Sequence, residues 1–225
     1  PPLEVAEAPA FLKRSIWYSE YNSREGQKRL AEWQLRNKVA DYPLWHSHNL
    51  NSLAPPQTYF AEHPEYYALV GGKRQPTQLC TTNPEVREIA VRTVLDYFAQ
   101  HPEAQSYSLT PEDNADFCEC DRCQALDSGA RVDGYPDVSE RMIEFFNYIA
   151  ERVTAVYRDK RFGFYCAYMN FREPPKRRLH PALVPVITAQ GFCCIHSIAD
   201  PWCAERQAMR RIIEGWKAVS SQFYI

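Results

Sequence analysis

The sequence predicts an α/β protein with a TIM-barrel-like (β/α)8 fold that is incomplete at its C-terminus. Short segments rich in β-branched and aromatic residues alternate with helical segments of a dozen or more residues, which is typical of parallel βαβ units. The turn at 21–26, after the first predicted strand, contains a single glycine, whereas a nucleotide-binding open sheet has a glycine-rich turn there. About six or seven strands are visible, so we expect the last strand or strands of the barrel to be missing.

The predicted elements succeed one another without an internal domain boundary. Residues 1–10 are predicted to be a linker from an upstream domain, and residues 11–225 a single barrel domain that is truncated at its C-terminus. Strands are predicted over 13–20, 42–50, 78–80, 106–109, 161–169, 183–189 and 222–225. Helices are predicted over 24–40, 84–101, 138–157 and 204–219.

Strand predictions depend on the composition of each segment and on the residues next to it. The segment 13–20 is short, β-branched and aromatic, 161–169 is short and aromatic, and 106–109 is an apolar run that ends in a polar loop over 110–123. The long excursion over 54–76 contains several tyrosine and phenylalanine residues. It is too aromatic to remain solvated, which favours a loop over an active site rather than a linker.

Helix predictions depend on apolar spacing and on start signals. Asn83 followed by Pro84 is a strong helix start, because asparagine caps free N–H groups and proline is favoured in the first turn. The segments 24–40, 138–157 and 204–219 place apolar residues at helical spacing with charged residues between them.

Polar residues cluster where the predicted strands end, and function in a barrel lies at the C-terminal ends of strands. We predict Glu112 and Asp113 as catalytic residues. Side chains diverge where a strand becomes a loop, so one carboxyl can protonate a leaving group while its neighbour orients the substrate, as glycosidases require. The alternative is that Asp113 caps a turn and Glu112 is solvated. The predicted substrate-binding residues are His46, His48, Asn49, Asn114, Tyr168 and Asn170.

The two histidines are separated by one residue, so both point to the same side of a regular strand. His46 and His48 therefore suit either two hydroxyl contacts to a sugar or a metal ion, and binding to hydroxyls is the preferred interpretation. The alternative without function is hydrogen-bonded packing.

The eight cysteines leave metal binding and disulfides both open. Cys118, Cys120 and Cys123 form C-x-C-x-x-C, which is compatible with a structural zinc site if Cys80 or a histidine supplies the fourth ligand. The competing interpretation is a disulfide clip on the same loop, and Cys194 with Cys203 looks equally suited to a disulfide. We expect no cofactor to be required, with structural zinc as the candidate metal.

Composition narrows the class of partner. A formal net charge of −2 argues against a broad phosphate-binding surface, so nucleic acid is not an expected partner. No run approaches the roughly 20 apolar residues that a membrane-spanning helix needs. Abundant aromatic residues suit a cleft walled by rings, on which sugars stack, so a glycan is the expected partner.

Three segments of the chain resemble one bacterial family, in the same order. They are HPEYYALVGGKRQPTQLCTTNPEV at 63–86, SLTPEDNADFCECDRC at 108–123 and CCIHSIADPWC at 193–203. The family is the bacterial domain of unknown function 4838, which is often found behind an α-glucuronidase-like domain and from which glycoside hydrolase family 163 was drawn. The resemblance spans most of the chain.

The resemblance implies a TIM-barrel hydrolase that a bacterium secretes or exports to its periplasm. It also implies an endo-β-N-acetylglucosaminidase of retaining mechanism, in which the substrate's own acetamide attacks the anomeric carbon. Glu112 is then implied as the general acid, and Asp113 as the residue that orients and polarises the acetamide. Many members have Pro-Asn-Asp where this chain has Pro111-Glu112-Asp113, so either the chain belongs to the catalytic branch or its acid lies elsewhere.

Two other functions fit the same residues. A carbohydrate-binding barrel without catalysis would use the same cleft, with both acids serving only as hydrogen-bond acceptors. A zinc-stapled interaction module would depend on the cysteine cluster alone.

Overall fold

The computed structural model describes residues 23–37, 39, 43–188 and 191–224. The linker predicted over 1–10 and the strand predicted over 13–20 lie outside the described residues. The chain divides into two compact units, residues 1–43 and 44–225. In the first unit, helix α1 (Arg24–Arg36) begins after Ser23, whose hydroxyl accepts a hydrogen bond from the Gly26 N–H.

The second unit alternates strands with helices, as the sequence predicts. Two short 3-10 turns, Leu50–Leu53 and Pro64–Tyr66, precede its first strand and flank helix α2 (Pro56–Tyr59). The remaining elements, in chain order, are β1 (Tyr67–Val70), β2 (Lys73–Leu79), α3 (Pro84–Gln100), β3 (Ser106–Ser108), α4 (Asp121–Gln124), β4 (Arg131–Val132), β5 (Tyr135–Pro136), α5 (Ser139–Val156), β6 (Arg161–Cys166), β7 (Leu183–Ile187) and α6 (Ala204–Val219). Among the described residues, no helix is long and apolar enough to cross a membrane.

The central sheet is parallel, with the strand order β3-β6-β7. Ser106 pairs with Arg161, and Phe162 pairs in turn with Leu183. Single parallel bridges, from His48 to Thr110 and from Val186 to Tyr224, attach further chain segments at the two edges of the sheet. Because β3, β6 and β7 are parallel, their carboxyl ends all lie at the same end of the sheet.

The predicted (β/α)8 barrel is wrong. In the described part of the chain the strands form three separate sheets, one parallel and two antiparallel, and none of them closes on itself. The predicted strand over 42–50 contributes one bridge rather than a ladder, and the residues expected to form the strand at 78–80 belong to an antiparallel hairpin. Alternating strands and helices specify parallel βαβ units, but closure depends on pairings between distant segments that periodicity does not encode.

The hairpin β1-β2 replaces much of the loop predicted over 54–76. Its turn is made by Gly71 and Gly72, with φ of 56° and 78°, a region in which side chains with a Cβ are strained. The hairpin packs below the segment after β3, since Leu69 accepts a main-chain hydrogen bond of 2.7 Å from the Glu119 N–H. This position makes the hairpin one wall of the candidate site.

Aromatic side chains fill the core between the parallel sheet and its helices. Phe146 of α5 packs on Phe164 of β6 with ring centroids 5.0 Å apart, and Phe164 stacks near Phe171 at 5.9 Å. Trp216 of α6 closes this cluster and donates its indole N–H to the Arg172 carbonyl at 3.0 Å. The core thus fixes the chain on both sides of the turn after β6.

Replacing Gly163 by alanine is expected to destabilise the fold by about 1–3 kcal/mol, because a Cβ at this position overpacks a filled site. That atom would meet the Trp45 carbonyl oxygen and lie 3.0 Å from Leu44 Cγ. Urea unfolding of the variant and of the unmodified chain measures the difference. A change below about 0.5 kcal/mol would mean that the backbone relaxes easily at this contact.

Candidate functional site

The candidate site begins where two chain segments run side by side at the carboxyl end of β3. Thr110 anchors them, because its hydroxyl donates to the His46 carbonyl at 2.7 Å and its carbonyl accepts from the N–H groups of Asn49 and Leu50. These bonds place the polar residues Asn49 and Asn51 beside Glu112.

A cleft of about 500 Å³ lies over this junction. Its lining is largely neutral and hydrogen-bonding, with His48 and Glu112 as its titratable side chains. The lining residues are His48, Asn49, Asn51, Ser52, Pro55, Pro56, Gln57, Pro76 and Glu112. Such a lining offers donors and acceptors to a ligand without a strong field of one sign.

Glu112 is held by several contacts. Its Oε1 accepts a hydrogen bond of 2.9 Å from the Asn51 N–H. Its main chain is bound by the amide of Gln78, which donates to the Glu112 carbonyl at 2.9 Å and accepts from its N–H at 3.3 Å. Gln78 is almost fully buried, so this pair fixes the direction in which Glu112 leaves the strand end.

Asp113 is in a different environment, with 69% of its side chain exposed. Its Oδ1 lies 3.9 Å from His48 Nε2. His48 Nδ1 contacts the Pro111 carbonyl at 2.5 Å, and since a carbonyl only accepts, Nδ1 carries the proton. His48 Nε2 is thus the ring nitrogen available to Asp113 or to a ligand, as an acceptor when neutral and a donor when protonated.

Tyr168 reaches the same region from the end of β6. It lies between Ala167 and Met169, which both have positive φ (62° and 45°), so a strained turn directs its side chain. The residue is 4% exposed, and its hydroxyl has no hydrogen-bond partner in the described part of the chain. Burial, and then the negative charge of Asp113, raises the pKa of Tyr168. The Tyr168 ring lies 6.2 Å from the His48 ring between centroids, and its hydroxyl is a buried donor that the described residues leave unsatisfied.

The remaining predicted substrate-binding residues have other surroundings. His46 contacts the ring of Tyr165, with centroids 5.1 Å apart, and Asn49 reaches the cleft. Asn114 accepts from the Gln78 amide at 3.1 Å and so supports the loop. Asn170 lies in a separate cavity of about 100 Å³ and donates to the Pro136 carbonyl. The structure therefore brings Glu112, Asp113, His48, Asn49 and Tyr168 together, and leaves Asn114 and Asn170 in supporting positions.

Sequence reasoning missed Asn51 and Gln78, the two residues that hold Glu112 in place. Asn51 lies in the turn after the predicted strand and presents its main-chain N–H to Glu112, a role that its residue type does not signal. Gln78 did carry a signal, because a glutamine inside a short apolar strand has to be hydrogen-bonded when it is buried.

Four cysteines meet below the cleft, beside the hairpin. Cys80 lies 3.7 Å from Cys120 and 3.9 Å from Cys123 between sulfur atoms, and the Sγ atoms of these three and Cys118 all lie within 4.8 Å of one another. A disulfide would place two sulfurs at about 2.05 Å, so these are free thiols, and the structure does not contain the disulfide clip that was the alternative to a metal site in this loop. The set can hold a metal ion, with Cys80 as the fourth ligand.

Hydrogen bonds orient the thiols. The Leu69 N–H donates to Cys118 Sγ at 3.3 Å, and the Thr82 hydroxyl lies 3.1 Å from Cys123 Sγ. Hydrogen bonds from the neighbouring thiols, that of Cys118 first, lower the pKa of Cys80. Such contacts around sulfur are typical of sites that bind metals through thiolates.

The other cysteines also occur as free thiols, including Cys194 and Cys203, for which a disulfide was expected. Cys193, rather than Cys194, is the residue that lies close to Cys203. Cys193 and Cys194 are adjacent in the sequence, so both are almost equally far along the chain from Cys203. Spacing alone therefore does not show which of the two lies close to Cys203.

A family model described as a domain of unknown function, DUF4838, matches residues 2–225. No curated protein and no solved structure matches the chain. The matched range includes the cleft and all eight cysteines.

Proposed function

The chain belongs to the DUF4838 family, and from that premise we propose that it is a retaining glycoside hydrolase acting on N-acetylglucosamine-containing glycans, related to glycoside hydrolase family 163. One observation carries the proposal. His48 lines the polar cleft together with Glu112, its Nε2 lies 3.9 Å from the exposed Asp113, and its ring contacts that of Tyr168, whose hydroxyl has no hydrogen-bond partner among the described residues. In open α/β sheets, ligands bind outside the carboxyl ends of the strands, where this cleft also lies.

The cleft supports a sugar ligand by its chemistry. Its three side-chain amides and the Ser52 hydroxyl match a ligand whose polar groups are neutral and numerous, and the cleft lining contains neither lysine nor arginine. A phosphate or carboxylate ligand would leave its charge uncompensated there. Sugar hydroxyls both donate and accept, so they can bind such a lining without that cost.

In the proposed mechanism, Glu112 protonates the leaving-group oxygen, and Asp113 orients and polarises the substrate acetamide that attacks the anomeric carbon. The fixed position of Glu112 suits proton transfer, because its Oε1 is anchored and Oε2 remains for the substrate. The exposed Asp113 is free to contact a ligand, and His48 Nε2 lies close enough to orient it.

The test is hydrolysis of aryl N-acetyl-β-glucosaminides and of N-glycans that contain a chitobiose core. We expect release of the aryl group or of the glycan, with retention of the anomeric configuration in the first product measured by NMR. Binding to the same glycans is measured in parallel by calorimetry. Binding without cleavage by any member of the panel would contradict catalysis and favour a carbohydrate-binding function for the same cleft.

Replacing Tyr168 by phenylalanine is expected to lower kcat by about 10²-fold, because the change removes a buried hydroxyl donor that is influenced electrostatically by Asp113 and Glu112. The melting temperature should stay the same or rise, since the change removes a buried hydroxyl that lacks a partner. Kinetics and thermal unfolding of one preparation measure both effects.

Tyr135→Phe is the matched control, because Tyr135 is 60% exposed and lines the separate cavity that contains Asn170. An unchanged kcat in Tyr168→Phe, or a loss of activity that merely parallels a loss of stability, would rule out a catalytic contact by this hydroxyl.

We also propose that Cys80, Cys118, Cys120 and Cys123 hold a structural zinc ion. Tetrahedral zinc with Zn–S bonds of about 2.3 Å places its sulfurs about 3.8 Å apart, close to the 3.7 Å and 3.9 Å between sulfurs here. The ion would attach the loop that carries Glu112 to the end of β2, where Cys80 lies. Four protein ligands close the site, which is typical of structural rather than catalytic zinc.

A further inference from the structure

A second group of metal-ligating side chains lies in the segment 191–203, between β7 and α6. Ligand atoms of Cys193, His196 and Cys203 all lie within 4.8 Å of one another. Cys193 Sγ is 3.2 Å from His196 Nδ1. None of these residues takes part in the cleft or in the four-cysteine cluster described above.

The geometry fits a metal ion better than a packing arrangement. Zinc bound by one thiolate at about 2.3 Å and one imidazole at about 2.0 Å places sulfur and nitrogen about 3.5 Å apart. The observed separation of 3.2 Å is near that value. The three side chains are exposed or half-buried, so core packing does not explain why they converge.

The surroundings of the group also favour anionic sulfur ligands. The Ile195 N–H donates to Cys193 Sγ at 3.4 Å, and Cys203 is the N-cap residue of α6, where the helix dipole favours negative charge. Cys194 points elsewhere, towards the Phe192 carbonyl at 3.4 Å. The segment therefore distinguishes between two adjacent cysteines.

We propose that Cys193, His196 and Cys203 bind a second zinc ion. Two thiolates and one imidazole are a ligand set that suits zinc, and three protein ligands leave one position for water or a solute. This site is independent of the proposed glycosidase activity and of the four-cysteine cluster.

The ion would fix the segment at the edge of the sheet that carries the candidate site, because the carboxyl end of β7 lies at the same edge as those of β3 and β6. Trp202 and Ile195 are 93% and 90% exposed within this segment. Ile195 lies between the ligands Cys193 and His196, and Trp202 between His196 and Cys203. Metal binding would therefore hold both apolar side chains towards solvent, where a large ligand could contact them.

The test is the zinc content of the full chain, purified with a phosphine reductant and without chelator, measured per chain by elemental mass spectrometry. We expect about two zinc ions in the unmodified chain, and one fewer in both Cys203→Ser and His196→Ala. Cys194→Ser is the matched control and should keep the content of the unmodified chain. His196 is exposed, so its loss should not perturb folding even if Cys203→Ser disturbs the start of α6.

The outcomes are distinguishable from those of the other proposals. A loss of one ion in Cys203→Ser and His196→Ala supports the site, whatever the chain hydrolyses and whatever the four-cysteine cluster holds. Equal zinc content in His196→Ala, Cys203→Ser and the unmodified chain would overturn it. So would a Cys193–Cys203 disulfide detected by peptide mapping of a second preparation, purified without reductant and with zinc present.

Discussion

Replacing Glu112 by glutamine is expected to reduce kcat/KM for N-acetylglucosaminide hydrolysis by about 10³-fold, because glutamine cannot protonate the leaving-group oxygen. The fold should be retained, since the glutamine side-chain carbonyl can still accept the hydrogen bond that the Asn51 N–H gives to Oε1. The two contacts between Glu112 and Gln78 use the main chain of Glu112 and do not depend on the change. Steady-state kinetics and thermal unfolding measure activity and fold separately.

The leaving group separates a general acid from a residue that only binds. A substrate with a good leaving group, such as a dinitrophenyl glycoside, depends little on protonation, so its cleavage by Glu112→Gln should be reduced much less than that of an N-glycan. A residue that only holds the sugar would affect both substrates to a similar extent, because both bind through the same N-acetylglucosamine unit.

Asp116→Asn is the matched control, since Asp116 is an acid in the same loop but outside the cleft lining. It should keep near-normal kinetics on both substrates. Turnover of N-glycans by Glu112→Gln close to that of the unmodified chain would place the acid elsewhere.

Helices were the part of the fold that the sequence determined best, because their signals are local. The Asn83-Pro84 start is confirmed, and Asn83 Oδ1 accepts from the N–H groups of Glu85 and Val86. The helix predicted over 204–219 has those bounds in α6, and that predicted over 138–157 differs from α5 by one residue at each end. Helical periodicity and capping are read within one turn of the chain, so no distant partner has to be known.

The sheet was predicted less well because strand pairing is not local. The sequence predicts a loop over 54–76 and a short strand at 78–80, whereas residues 67–79 form an antiparallel hairpin that turns at Gly71-Gly72. Because these residues pair with each other in a hairpin, they do not supply the parallel strand that a barrel would need from this part of the chain. The strands predicted at 106–109, 161–169 and 183–189 correspond to β3, β6 and β7, whereas 42–50 and 222–225 contribute only single bridges, so the parallel sheet has fewer strands than predicted.

The residues of the candidate site also divide into those whose positions could be predicted from the sequence and those whose positions could not. His48, Glu112 and Tyr168 could be placed together because the carboxyl ends of neighbouring parallel strands meet at one edge. The position of Asn170 could not be predicted. The turn after β6 contains two residues with positive φ, Ala167 and Met169, and it directs Asn170 into a separate cavity. Nothing in the residue types at these two positions signals that backbone conformation.

Replacing Cys120 by serine is expected to remove one zinc ion per chain and to lower the free energy of unfolding by at least about 3 kcal/mol, because binding of structural zinc is coupled to folding. In a domain of this size, that loss corresponds to a melting temperature lower by about 6–12 °C. Cys120 is half-buried and serine is similar in size, so lost packing contributes little to the effect. Elemental analysis and calorimetry of the same sample measure both quantities.

A strong chelator added to the unmodified chain should lower the melting temperature by a similar amount, and Cys120→Ser should be much less sensitive to it. Cys166→Ala is the matched control, because Cys166 is fully buried but lies outside both cysteine clusters. It should lose some stability through packing and keep its zinc. Because Cys118 and Cys123 lie on the same loop as Glu112, zinc loss should also lower glycoside turnover, without any contact between the ion and the substrate. A four-cysteine cluster that is fully reduced, metal-free and unaffected by the chelator would show instead that thiol packing alone holds this loop.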